Sequence, residues 1–214
     1  MFTSEHRPSL GPKILAITAL SLAVASGWLM SYNVRCNFVS STLLLAFAIF
    51  YLLRLLATLF VFLKRRMSWP EAILISAVMS IIIIVLFNYG GRQSNYIDAV
   101  DIIAIGLYLF GSYLNTFSEY RRYVWKKKPQ NRGHLYTEGL FRFSMHINYF
   151  GDVVLFTGFA LVTHNFALLF IPLLMMLNFA VVLIPSLDAY LEDKYGTEFQ
   201  EYAKRTKRLV PFVY

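Results

Sequence analysis

A chain of 214 residues that is 57% hydrophobic, 17% aromatic and only 15% charged, with a mean hydropathy of +0.55, carries more apolar surface than a soluble domain of this size can bury. Its net charge of +8 does not read as a nucleic-acid interface, because the lysines and arginines gather between apolar runs, as the positive-inside rule expects. Cys36 is the only cysteine, which excludes an intrachain disulfide.

In chain order, apolar runs near 14–32, 38–63, 72–89, 98–117, 153–164 and 166–185 predict transmembrane helices. The first follows Lys13 and has a signal-peptide-like opening, but its apolar stretch continues through Trp28 to Tyr32, which suits a span better. The fifth and sixth runs meet at Thr163, His164 and Asn165, which predicts a tight hairpin with His164 in a structural role. Pro172 and Pro185 are expected to kink and end the last span. Beyond it, Leu187, Leu191, Tyr195, Phe199 and Tyr202 recur at helical spacing and predict one amphipathic surface helix over 187–208.

The expected fold is therefore all-α: a polytopic integral membrane bundle of about six helices, closed by a C-terminal cytoplasmic amphipathic helix and forming a single membrane domain over 1–214. Basic stretches lie at 7–13, 64–66, 121–142 and 194–208. With six spans they share one side, which predicts a multi-pass protein with both termini in the cytoplasm.

No GxGxxG follows a strand, and there is no P-loop, HExxH or CxxC, so no Rossmann domain, nucleotide-triphosphatase loop or metal site is indicated. Chemistry must come from helix side chains. The densest set lies in residues 139–152, GLFRFSMHINYFGD, which puts Arg142, His146, Asn148, Tyr149 and Asp152 within about four helical turns. Such a set at the edge of an apolar run is costly unless it holds something. Asn115, Ser118 and Glu119 share one face at the end of the fourth run. Arg54 falls inside the second run with Tyr51 three residues earlier on the same face. The basic loop over 119–142 reads either as a topology signal with attraction for anionic headgroups or as a cationic mouth for a phosphate-bearing cofactor.

These motifs together resemble the steroid 5α-reductase superfamily, including its bacterial members, from about Phe50 to the C-terminus. Tyr51-Leu-Leu-Arg54 is similar to the family's His-Tyr-x-x-Arg. Asn115-Thr-Phe-Ser118-Glu119 resembles Asn-x-x-Ser-Asp. Gly139-Leu-Phe followed by Asn148-Tyr-Phe-Gly151-Asp152 resembles Gly-Leu-Phe and Asn-Tyr-Phe-Gly-Glu. The ending, Tyr195 through Glu198-Phe199-x-x-Tyr202 to Leu209-Val-Pro-Phe212, is also similar. Sterol C14-reductases resemble the same region. Isoprenylcysteine carboxyl methyltransferases share its layout, but Met145 and Ile147 flank His146 where that family has Arg and Pro, and Leu187-Asp188 stands where it has Glu-Glu. The chain departs from the reductase pattern as well. An early Gln-Glu pair has no counterpart, and a cofactor arginine near the end falls at Thr206, between Arg205 and Lys207.

The resemblance implies an NADPH-dependent oxidoreductase acting on a CH–CH bond, reducing an enone-type double bond in a lipophilic, steroid-like substrate that enters from the bilayer. It implies a substrate cavity mainly over 14–117 and a cofactor half mainly over 115–214. Tyr51 would be the donor to the substrate carbonyl, and Asp152 would orient either Tyr51 or the nicotinamide amide. Asn115, Glu119 and Asn148 would hold nicotinamide and ribose, with Arg122, Lys126 and Arg205 facing phosphates and Tyr195 against the cofactor. Arg142, His146 and Tyr149 complete the expected cofactor set. The alternatives are an S-adenosylmethionine-dependent methyltransferase of a lipid or prenylated thiol, and a membrane protein that kept the fold without the chemistry.

Overall fold

The computed structural model describes residues 9–31, 38–89 and 96–214; Arg7 and Cys36 lie outside them. Among the described residues there is no strand. The helices are α1 (Leu10–Ser31), α2 (Phe38–Ala57, continued by a π turn Thr58–Phe62), α3 (Trp69–Asn88), α4 (Ala99–Lys126), α5 (Ile147–Leu161), α6 (Phe170–Asn178), α7 (Ile184–Tyr195) and α8 (Thr197–Arg205). A short 3-10 turn at Phe166–Leu169 leads into α6, and a π turn at Phe179–Leu183 joins α6 to α7. Five continuous helical stretches are long and apolar enough to cross a membrane: Leu10–Ser31, Phe38–Phe62, Trp69–Asn88, Ala99–Lys126 and Phe166–Tyr195. The apolar α5 has 15 residues. At 1.5 Å per residue that is about 22 Å, short of a hydrocarbon core of about 30 Å.

Three boundaries differ from the sequence expectation. α4 runs to Lys126, so Asn115 and Glu119 sit inside a helix rather than at its frayed end. Pro185 does not end the last span. It falls in the first turn of α7, directly after the π turn, where its missing N–H is tolerated. The expected amphipathic helix over 187–208 is broken at Gly196, whose φ of 52° closes α7 before α8 starts.

The helices fall into two compact units. The first comprises the described residues of Thr3–Gly106 and Thr157–Ile171. In it α1 packs mainly on α3, and a Cβ at Gly27 would stand 3.0 Å from the Phe87 ring, so the small residue sets the approach. Ser68 caps α3 by accepting from the Glu71 amide, and Glu71 is also ion-paired to Arg65. Asp98 caps α4 in the same way, accepting from the amides of Val100 and Asp101. His164 Nε2 lies 2.9 Å from the fully buried Asp101, which gives that histidine a structural partner.

The second unit comprises Leu107–Phe156 and Pro172–Tyr214. Two glycines bring its parts of α4 and α5 into backbone contact. A Cβ at Gly151 would lie 2.7 Å from the Asn115 amide nitrogen, and one at Gly111 would collide with the Leu155 backbone. Close helix crossings of this kind use small residues because helices in lipid associate by packing.

Candidate functional site

The close α4–α5 crossing in the second unit assembles a polar network. Asn115 donates from Nδ2 to the Asn148 carbonyl at 3.0 Å and to Asp152 Oδ2 at 3.1 Å. Asn148 Nδ2 donates to Glu119 Oε1 at 3.0 Å. The other Glu119 oxygen takes the Arg122 guanidinium at 2.5 Å, one helical turn on. Asn115 and Glu119 are buried, while Asn148 and Asp152 are partly open. A buried carboxylate costs free energy unless paired, and Arg122 and Asn148 together meet that need. Five of the sequence-predicted residues are thus joined by direct bonds. Arg122 is engaged by Glu119 and by the Phe141 ring, with 5.6 Å to its centroid.

A second polar centre surrounds His146, itself buried. His146 Nε2 lies 2.8 Å from Asp188 Oδ1, and Arg208 Nε lies 3.4 Å from the other Asp188 oxygen. The imidazole stacks on Tyr149, with centroids 5.6 Å apart, and Tyr149 stacks on Phe179 at 4.8 Å. The backbone here is clamped by the chain end. Met145 and His146 donate their amides to the carbonyls of Lys207 and Arg208, and Ser144 donates its hydroxyl to Leu209. α8 holds this clamp by burying Phe199 and Tyr202 against Met145. The Tyr202 hydroxyl donates to the Phe141 carbonyl at 2.6 Å, and burial pushes its phenol pKa well above the ordinary value.

The third feature is a cavity of about 430 Å³ lined by Thr137, Glu138, Gly139, Arg142, Arg205 and Thr206. Gly139 turns with φ +61°, and a Cβ there would meet the Tyr136 hydroxyl at 3.0 Å, so this wall requires glycine. Arg205 donates weakly to the Thr137 hydroxyl at 3.4 Å, and Arg142 stacks on Phe143. Neither arginine forms an ion pair among the described residues. Lys126 Nζ donates to the Tyr195 hydroxyl at 2.8 Å, so these two expected cofactor residues bind each other.

Tyr51 belongs to the first unit. It is buried, its hydroxyl lies 3.5 Å from the Met79 sulfur, and the Arg54 guanidinium sits 5.0 Å from its ring centroid. Thioether sulfur is a weak acceptor.

Sequence reasoning missed Asp188 as the partner of His146, and with it Arg208. The signal was an acid one turn past an apolar run, but nothing local ties it to a histidine 42 residues earlier. It also missed Thr137 and Thr206 as cavity walls, since lone threonines in a basic loop carry no pattern.

Taken together, these features define a polytopic helical membrane protein whose polar groups gather in its C-terminal half. The chain belongs to a family described as a protein of unknown function (DUF1295), whose pattern it matches over residues 30–206. No curated protein matches the chain.

Proposed function

We propose that this chain is a membrane-embedded reductase that uses NADPH to saturate an enone-type double bond in a lipophilic, steroid-like substrate. The observation that carries the reading is the bonded set of Asn115, Glu119, Asn148 and Asp152 on two helices locked by Gly111 and Gly151. It pairs amide donors with carboxylate acceptors, the complement of a ribose and a carboxamide. The donor set also fits an anionic dinucleotide elsewhere in the same unit, because Arg142 and Arg205 line one cavity without ion-pair partners among the described residues. The bound dinucleotide would supply the hydride.

The chain's own residues would do the rest. Asn115, Asn148, Glu119 and Asp152 would hold nicotinamide and ribose in one orientation. Arg142 and Arg205 would take phosphate oxygens, with the Thr137 and Thr206 hydroxyls beside them. Reducing an enone builds negative charge on its carbonyl oxygen, and Tyr51 would donate to that oxygen in place of its contact with Met79. With α5 counted as a sixth, short crossing, both termini and the arginine cavity would face the cytoplasm, where the basic stretches belong.

One observation favours a second reading. Asp188, at the position of the methyltransferase acidic pair, bonds to His146, the residue retained from that family's other motif. Thermal unfolding in detergent separates the readings. A ligand that binds only the folded state at 100 times its Kd stabilises by about 2.7 kcal/mol. NADPH is expected to raise the unfolding temperature and S-adenosylmethionine to leave it unchanged. A shift with S-adenosylmethionine alone transfers the protein to the methyltransferases. No shift with either removes the reductase reading.

A further inference from the structure

Buried hydroxyls on the helices of this chain follow a habit. Ser118 donates to the Asn115 carbonyl, Ser76 to the Ala72 carbonyl and Ser31 to the Trp28 carbonyl, each on its own helix one turn back. Ser40 and Ser112 are the buried hydroxyls that lack a partner among the described residues. Ser40 has a local reason. It is the third residue of α2, so the carbonyls one turn back fall outside the described residues. Ser112 has no such reason, because α4 starts at Ala99 and the Tyr108 carbonyl lies one turn back within the helix. Its side chain forgoes that bond while 5% exposed.

Its position on the helix is equally specific. At 100° per residue, Ser112, Asn115 and Glu119 fall within about 60° of one another, and Ser112 stands about 4.5 Å along the axis from Asn115. The Asn115 amide is bonded to Asp152. The polar stripe of α4 thus includes, one turn farther from the basic C-terminal end of the helix, a hydroxyl with no bonded partner among the described residues. An orphaned hydroxyl in an apolar setting is a cost that a ligand oxygen removes.

We propose that Ser112 is a ligand-contacting residue whose hydroxyl donates to the oxygen of a carboxamide on the bound ligand. A carboxamide matches the stripe because it combines an acceptor oxygen for Ser112 with N–H donors for carboxylates such as Asp152. A carboxylate ligand would set like charge near Asp152 and Glu119, whereas a carboxamide is neutral and brings N–H donors of its own to their side of the stripe. This rests on the reductase reading, in which that carboxamide belongs to nicotinamide.

The test compares the full-length wild type, Ser112→Ala and Ser112→Thr in detergent. It uses unfolding temperature without ligand and the Kd for NADPH and for its thionicotinamide analogue, in which a weakly accepting sulfur replaces the amide oxygen. Ser112→Ala should unfold no lower than wild type, since no bond is lost, and should bind NADPH about tenfold more weakly. Ser112→Thr should restore affinity. The serine deletion should cost the thio analogue little, so the two losses are non-additive. Equal NADPH affinity in wild type and Ser112→Ala overturns the role of Ser112 and leaves the reductase reading standing. So does a lowered unfolding temperature with unchanged affinity. Failure of the wild type to bind NADPH overturns both.

Discussion

Asp188 holds His146 from 42 residues away, with Nε2 and Oδ1 2.8 Å apart and both side chains buried. This contact fixes which imidazole nitrogen remains for other partners, since Nε2 is taken and Nδ1 is left. It also explains why a chain end after the last span has a defined backbone. Arg208 completes the Asp188 pair, and its carbonyl receives the His146 amide.

Asp188→Ala is expected to destabilise the folded protein by about 1–3 kcal/mol, because it leaves a buried imidazole N–H unpaired. Asp188→Asn, which keeps an acceptor oxygen, should recover part of that loss. Chemical unfolding of both variants with His146→Gln in a double-mutant cycle measures the coupling, and additive losses would show that the contact contributes nothing.

Gly151→Ala should disrupt both fold and site. The new methyl would press on the Asn115 amide nitrogen and the Gly111 carbonyl, which are backbone atoms that cannot swing aside. Overpacking of this kind costs about 1–3 kcal/mol, and the separation should weaken NADPH binding through Asn115 and Asp152. Gly106→Ala is the control. Nothing lies within 4 Å of a Cβ there, and replacing a helical glycine should leave stability unchanged or raise it by up to about 1 kcal/mol.

Tyr51→Phe keeps the ring against Arg54 and removes the hydroxyl. Turnover is expected to fall by roughly two to three orders of magnitude, the scale for deleting one oxyanion donor, with NADPH affinity unchanged. Normal turnover in a folded variant would remove Tyr51 from the mechanism and move attention to Asp152.

Tyr202 gives an alkaline dependence whose sign follows from its burial. The folded phenol has a raised pKa, so the neutral form is favoured in the native state. Its stabilisation is complete below the unfolded value of about 10 and is lost as pH rises through the folded value. Unfolding temperature should therefore fall above about pH 10. Tyr202→Phe should lose the bond to the Phe141 carbonyl and be less stable at neutral pH, with a shallower alkaline decline.

Apolar runs made the membrane bundle legible, because twenty apolar residues have few other stable places to be. The Asn115–Asn148–Glu119–Asp152 set was also legible, since both halves lie on helices at fixed spacings that a helical wheel displays. The resemblance implies a phosphate contact for Arg122, and its i,i+3 spacing to Glu119 also marks a local pair, which the structure shows. The break at Gly196 was signalled by glycine itself, but the hydrophobic period continues across it and masks the stop. The His146–Asp188 bond and the solitary Ser112 hydroxyl were not legible, because one depends on a tertiary contact and the other on a bond that is not made.

The π turn at Phe179–Leu183 acts as an angular offset. Such a turn amounts to one extra residue in an α-helix, and one residue is about 100° of rotation. Phe179 within it stacks on Tyr149, while Asp188 five residues beyond it reaches His146. Losing a single codon here would relax the turn to regular helix and swing Asp188 about a quarter-turn from its partner. The length of this segment is therefore under tighter constraint than its composition, and interchangeable apolar residues would be tolerated where a deletion would not.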